Sequence, residues 1–487
     1  MKLKDKIKKD KSVSFNYDRI RNEAIEVIEF KEKSKKNSFN SYIKFSTICI
    51  VVLLIGIFSY VFVDNAISRG KGSTSSYNDY VACEADEKKD VKYQDYMDSE
   101  YLEFLEKLNI FSNKISEAVY KQYAPSIDNY AISPVSIYMA LAMCVECSSS
   151  ETREEILNAL GMSYEEVKKH TSTLYSVLND RKTDENFIGK EVEFFKEMIT
   201  NSIWVEENAV LKENGLLSLA KDYNCNSYSV PFKNNNKKAN KAISDYIYDK
   251  TFGLIDTDFD LSDETIFALI NTYYIKDTWN TDGKDLDFTK DKYNFNNEKL
   301  IQLMKSSYSL GKIYETDKLT HYYVSTANGI KIKFLIPKEG YELNDIYNIE
   351  NLNEIHAIKS YNGRDDINRI EYHTRTLFPE FEVSFNEDIA LQLKNDLNIE
   401  KLFTKNCDFS NISDDEIYCE SVIHSTKVKV TKKGIEGAAV TMLEAPGAAP
   451  PDEYEKVYQE FIVDKSFAYV ITDNRNITLF TGVVNKI

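Results

Sequence analysis

Residues 434–449 carry almost nothing but small or apolar side chains, and Glu436 and Glu444 are their only charges. A surface loop normally holds polar residues. Here, apart from Pro446, nothing forbids an extended strand. The run follows residues 426–430, where Val428 and Val430 share one face of an alternating strand pattern. It precedes three further strand-like runs, at 461–463, 467–472 and 477–484. A weakly polar ribbon between buried strands can pair with an open sheet. The chemistry this predicts is conformational, carried by main-chain hydrogen bonds.

Other chemistries find little support. The five histidines, His170, His321, His356, His373 and His424, stand in no H-E-x-x-H motif, and neither a G-x-S-x-G elbow nor a Walker loop is present. Asp256, Asp258 and Asp260 have the spacing that opens a calcium loop, but Leu261 and Phe267 stand where that loop needs Gly and Glu. Cys144 and Cys147 fall on a helical pattern and are expected to pack as small core residues. A redox or metal C-x-x-C would bring a turn or a second pair. Seven cysteines in 487 residues do not make a disulfide framework. No catalytic residue, metal site or cofactor is therefore expected.

The elements that must position the ribbon are mixed. Helical patterns dominate from 100 to about 270, beginning with residues 101–120, where Leu102, Leu105, Leu108 and Ile115 suggest one apolar face. Strand-like runs dominate 271–340, including 330–336, and return after 377. Helices segregated from largely antiparallel strands predict an α+β fold. The 43% hydrophobic and 13% aromatic content supports a sizeable core. A net charge of −17 argues against nucleic-acid binding, which wants a basic face.

Several stretches in one order resemble the serpin family. Gly434, Ile435, Glu436, Gly437, Ala438, Ala439, Val440 and Thr441 are similar to the serpin hinge. Residues 461–467 and 479–485 resemble its closing strands, and 129–143 the segment that leads into and forms helix B. Asn271 and Trp279 have the spacing of a central strand of the main sheet, 377–381 resemble another landmark, and His424 sits where the family carries a buried histidine. The likeness covers about residues 100–487.

This resemblance implies a fold of three β-sheets and eight to nine helices with an exposed reactive-centre loop. It implies no enzyme but an inhibitor, a monomer whose partner is a serine or cysteine endopeptidase held in a covalent complex. The reactive bond is expected at Ala448–Ala449, with a later cut near Tyr454 or Lys456 as the alternative. Ser133 and Ser136, with Asn271 and His424, are expected to form a buried cluster under the parting strands, and Trp279 to cap the point where the loop first enters. Insertion with Ile435, Gly437, Ala439, Thr441, Leu443 and Ala445 inward buries no charge. Ile435 and Gly437 depart from the family's usual Thr and Ala, so a non-inhibitory serpin acting as a surface binding protein is the alternative.

Residues 45–63 form a charge-free run, long enough as a helix to span about 28 Å. Lys31, Lys33, Lys35, Lys36 and Lys44 precede it, and only Arg69 and Lys71 follow closely. The positive-inside rule predicts a single-pass cell-membrane protein with a cytoplasmic tail, 1–44, and the bulk outside. Residues 64–99 read as an extracellular stalk, and 100–487 as the folded serpin-like domain.

Overall fold

The computed structural model describes residues 77–88, 97–124, 127–179, 196–280, 284–358, 361–419, 422–435 and 454–487. The expected membrane span at 45–63, most of the hinge and the expected reactive bond at Ala448–Ala449 lie outside these residues. No helix among the described residues is long and apolar enough to cross a membrane.

Nine α-helices are present among the described residues: α1 Ser99–Tyr123, α2 Pro134–Cys147, α3 Ser150–Leu160, α4 Tyr164–Asn179, α5 Glu213–Asp222, α6 Phe232–Lys250, α7 Leu343–Ile346, α8 Ile349–Ala357 and α9 Ala390–Asn395. In α1 the buried face runs through Phe104, Leu105, Leu108, Phe111 and Ile115, the spacing of one helical stripe. Leu102, expected on that face, is instead 43% exposed. Helix α2 opens on Pro134, whose missing N–H is no loss in a first turn. Every residue of α2 but Ala140 is buried, as suits a helix that is apolar all round and central.

The main sheet contains seven strands. With β1 Val81–Cys83, β2 Asn129–Ile132, β3 Lys196–Glu206, β4 Cys225–Val230, β5 Phe267–Thr278, β6 Leu319–Ser325, β7 Lys331–Pro337, β8 Ile370–Phe378, β9 Phe381–Asp388, β10 Ile423–Thr431 and β11 Gly434–Ile435, its order is β1-β4-β3-β5-β11-β10-β9. A second large sheet centres on β8, which pairs in parallel with β12 Glu455–Ile462. A third runs Tyr314–Glu315, β6, β7, β13 Phe467–Thr472, β14 Thr478–Val484, β2. A two-stranded ribbon, Tyr293–Phe295 with Lys299–Ile301, completes the strands used here. The α+β expectation holds, but β3 and β4 lie in the stretch read as helical.

Two hydrophobic cores flank the main sheet. On one face the odd-numbered residues Tyr273 and Ile275 of β5 join the large core with α2, β13 and β14. On the other, α6 covers Trp204, Tyr228 and Ala268. The folded unit also extends N-terminal to the expected boundary at residue 100. Tyr77 is buried in the second core, and β1 adds antiparallel to the edge of β4. The composition of 64–99 is polar on average, yet its few apolar side chains suffice to dock this short piece.

Candidate functional site

The two residues of β11 lie between β5 and β10, antiparallel to both. Gly434 pairs with Thr278 and Thr431, and Ile435 with Asp277 and Val430. Among the described residues no ladder joins β5 to β10 directly. Among the described residues the main sheet therefore parts below β11, and only those two residues roof the gap. Ile435 faces inward and is 3% exposed within the large core. Gly434 has φ +149°, and a Cβ there would stand 2.1 Å from the carbonyl oxygen of Asp277. Only glycine allows the chain to lie this close.

Trp279 closes the mouth of the gap. Its indole Nε1 donates to the carbonyl of Thr431 at 2.7 Å, spanning from the end of β5 to the end of β10. The ring meets Phe378 edge-on at 5.3 Å and is 2% exposed. On the outer side Lys432 pairs with Asp285 at 3.1 Å, and its backbone N–H donates to Glu380 at 2.8 Å.

Lower down, a cavity of about 90 Å³ is lined by residues of β5 on one side and by Ile423, His424 and Ser425 of β10 on the other. Asn271 and His424 stand on its two lips. Each is tied separately to the start of α2. The backbone N–H of Ser133 donates to Nε2 of His424 at 3.0 Å, which fixes the ring as the tautomer protonated on Nδ1. The Ser136 hydroxyl donates to Oδ1 of Asn271, whose amide donates to the Thr200 carbonyl at 3.0 Å and to Asn201 at 2.6 Å. Thr426 donates to the carbonyl of Ala131, binding β10 to β2. Burial pulls the His424 imidazole down to about 3, so it is neutral.

The structure thus gathers Ser133, Ser136, Asn271 and His424 under the gap, and Trp279, Gly434 and Ile435 at its mouth. Glu436, Gly437, Ala438, Ala439, Val440, Thr441, Ala448 and Ala449 lie outside the described residues. Of the later cut positions, Lys456 is held in the ladder of β12 against Glu371, and Tyr454 lies just before that strand. Sequence reasoning missed Asp277, which is 1% exposed on the same rung as Ile435. The signal was present: counting by twos from Asn271 reaches Asp277 on the inward face.

With this geometry in hand, comparison with known proteins places the chain among relatives. The family described as Serpin (serine protease inhibitor) matches residues 106–487. Alpha-1-antitrypsin of Sus scrofa is 23% identical over 379 residues, covering 75% of this chain and 84% of its own. Human neuroserpin is 26% identical over 379 residues, covering 73% and 86% respectively. Among solved structures, the thermophilic serpin tengpin in its native state superposes with TM-score 0.64 at 22% identity, over 83% of this chain and 98% of its own. Human thyroxine-binding globulin in complex with thyroxine gives TM-score 0.60 at 20% identity, over 78% and 100%. The structural likenesses establish the fold alone.

Proposed function

The chain belongs to the serpin family, whose members are typically protease inhibitors rather than enzymes, and we propose that this one inhibits serine or cysteine endopeptidases as a suicide substrate. One observation carries the reading: β11, the chain just before the expected reactive loop, already occupies the gap between β5 and β10.

Continuing that register assigns every hinge residue a place. Gly434–Ala445 would match the twelve residues of β5, and Gly434–Met442 the nine of β10. Glu436 would face outward between Lys276 and Lys429, where its charge is met. Gly437 would face inward between Ile275 and Val428, and Ala439 between Tyr273 and Thr426. Thr441 would arrive between Asn271 and His424, bringing a hydroxyl to the two lips of the cavity. Ala438 and Val440 would face outward. No charged group of the hinge is buried in this register.

In this mechanism the protease nucleophile attacks the carbonyl of Ala448. The amine of Ala449 leaves with a proton, and the enzyme remains acylated through Ala448. The freed ribbon then zips into the gap, completing a strand of fifteen residues, 434–448, that at about 3.3 Å each is about 50 Å long and draws the protease along the sheet. Inhibition depends on insertion outrunning hydrolysis. The ladder that holds Lys456 favours the earlier bond over a cut inside β12. The charge-free run at 45–63 supports anchoring in the cell membrane, with this domain outside.

The test is incubation with a panel of serine and cysteine proteases, read on a denaturing gel. A covalent, SDS-stable complex is expected. Ala439→Arg should still be cleaved but form no complex, because an arginine would have to enter the core between Tyr273 and Thr426. An undiminished complex with that variant would falsify insertion. A second reading, a surface binding protein on the same scaffold, is favoured by a cleft of about 700 Å³ lined by α1, α8 and Lys331, Lys333 and Arg475. It predicts no complex with any protease.

A further inference from the structure

We propose that Asp277 is a positioning residue, whose buried carboxylate clasps the β6–β7 turn to the end of β5 and so sets how readily the sheet parts at Ile435. This rests on the insertion reading above. Among the described residues the carboxylate is met by hydrogen-bond donors only. Its Oδ1 accepts from the Thr278 N–H at 2.8 Å and from the Asn328 side-chain amide at 2.9 Å. Its Oδ2 accepts from the Asn328 N–H at 3.2 Å and from the Thr326 hydroxyl. Two donors belong to Asn328, at the tip of the turn between Ser325 and Lys331.

The backbone runs the same way. Ala327 N–H donates to the Thr278 carbonyl at 2.7 Å, and Trp279 bridges to Thr326. Trp279 in turn holds the end of β10 through Thr431. Three pieces of chain, the end of β5, the β6–β7 turn and the end of β10, therefore meet where β11 lies. Asp277 stands at their junction, beside Ile435 on its rung and with its carbonyl oxygen against Gly434.

A carboxylate buried without a cation is tolerated only while its donors stay aimed at it. Burial already pushes the Asp277 carboxyl up from the ordinary range. Moving the turn away would strip three of the four donors together, and water reaching the mouth would have to replace them. Parting of the mouth and release of the turn are thus one event. A neutral side chain of similar size would fill the space without coupling the two.

The experiment uses the full chain. It has two tryptophans, so Trp204→Phe leaves Trp279 as the single reporter of the mouth. In that background Asp277→Ala and Asn328→Ala are compared with the parent, uncleaved, by amide exchange at residues 434–435 and by acrylamide quenching. Both variants should exchange about tenfold faster, the equilibrium worth of one hydrogen bond to a charged group, and Trp279 should become more quenchable. Should Asp277→Ala fail to fold, Asn328→Ala alone decides. Parental exchange and quenching in Asn328→Ala would overturn the clasp, even with a lowered melting temperature. Neither readout needs a protease. A mouth that loosens in a protein forming no covalent complex would support the clasp while sinking the inhibitor reading.

Discussion

His424 is neutral in the folded protein because burial opposes its charge and because Nε2 already accepts from Ser133. Its imidazole titrates at about 3 when folded, against 6.5 for the free group. Between those values the unfolded chain binds a proton that the folded chain does not, so stability falls as pH drops through that window. His321, lowered to about 3, and His356, lowered to about 4, act in the same direction, each because it is buried. Each adds up to about 1.4 kcal/mol per pH unit to the slope. Gln at position 424 can still accept the Ser133 N–H without titrating. His424→Gln should therefore reduce the slope of stability between about pH 6 and 4.5 by about one proton. Urea unfolding at several pH values measures it, and an unchanged slope would mean that His424 is charged or solvated in the native state.

At the scale of elements, β1 shows how a few side chains anchor a polar segment. The Tyr77 ring meets Tyr228 and Tyr246 edge-on at 6.0 and 5.2 Å, and its hydroxyl donates to Asp249. Tyr77→Ala should cost about 3 kcal/mol, as for other buried aromatics. Amide exchange in residues 77–88 should rise while β5 and β10 keep their protection; an unaltered segment would show that β1 is held by its ladder alone. How legible each element was follows from what holds it. β10 was readable because Val428 and Val430 are buried while Lys429 is exposed. β3 was not: its last six residues are all buried, so the period of two is lost between the two cores. β11 is two residues long and exists only because β5 and β10, distant in sequence, stand on either side. Ser133, Ser136, Asn271 and His424 were named by resemblance, but the separate ties of Asn271 and His424 to α2 are tertiary facts. Asp277 was legible by parity, though not its four donors, three of which come from a turn about fifty residues away.

At the scale of the whole molecule, the described residues of the main sheet include only two of the strand between β5 and β10. β5 and β10 run parallel, and both are antiparallel to the two residues of β11 between them. Among the described residues only Asp277 and Thr278 of the twelve in β5 pair across that edge. The other ten have, among the described residues, no ladder partner on that side, where a cavity lies between two polar lips, Asn271 and His424. Unpaired sheet edges are places where added backbone gains hydrogen bonds, and a ribbon entering from Ile435 has the length and the small inward side chains to supply them. What restrains it is topological: while the loop is intact, its far end is held by β12 against β8. Cutting beyond Ile435 removes that restraint without altering any contact of the folded core. Each new rung that nets about 1 kcal/mol raises the melting midpoint of a domain this size by about 1 °C. Cleavage in the loop by a non-target protease should therefore raise the midpoint by about 10 °C for ten added rungs, and the shift should fall to about 3 °C in Ala439→Arg, whose ribbon adds only residues 436–438 and stops short of Asn271 and His424. Calorimetry of intact and nicked protein measures both; a nicked protein that melts with the intact one would show that the gap does not accept the ribbon.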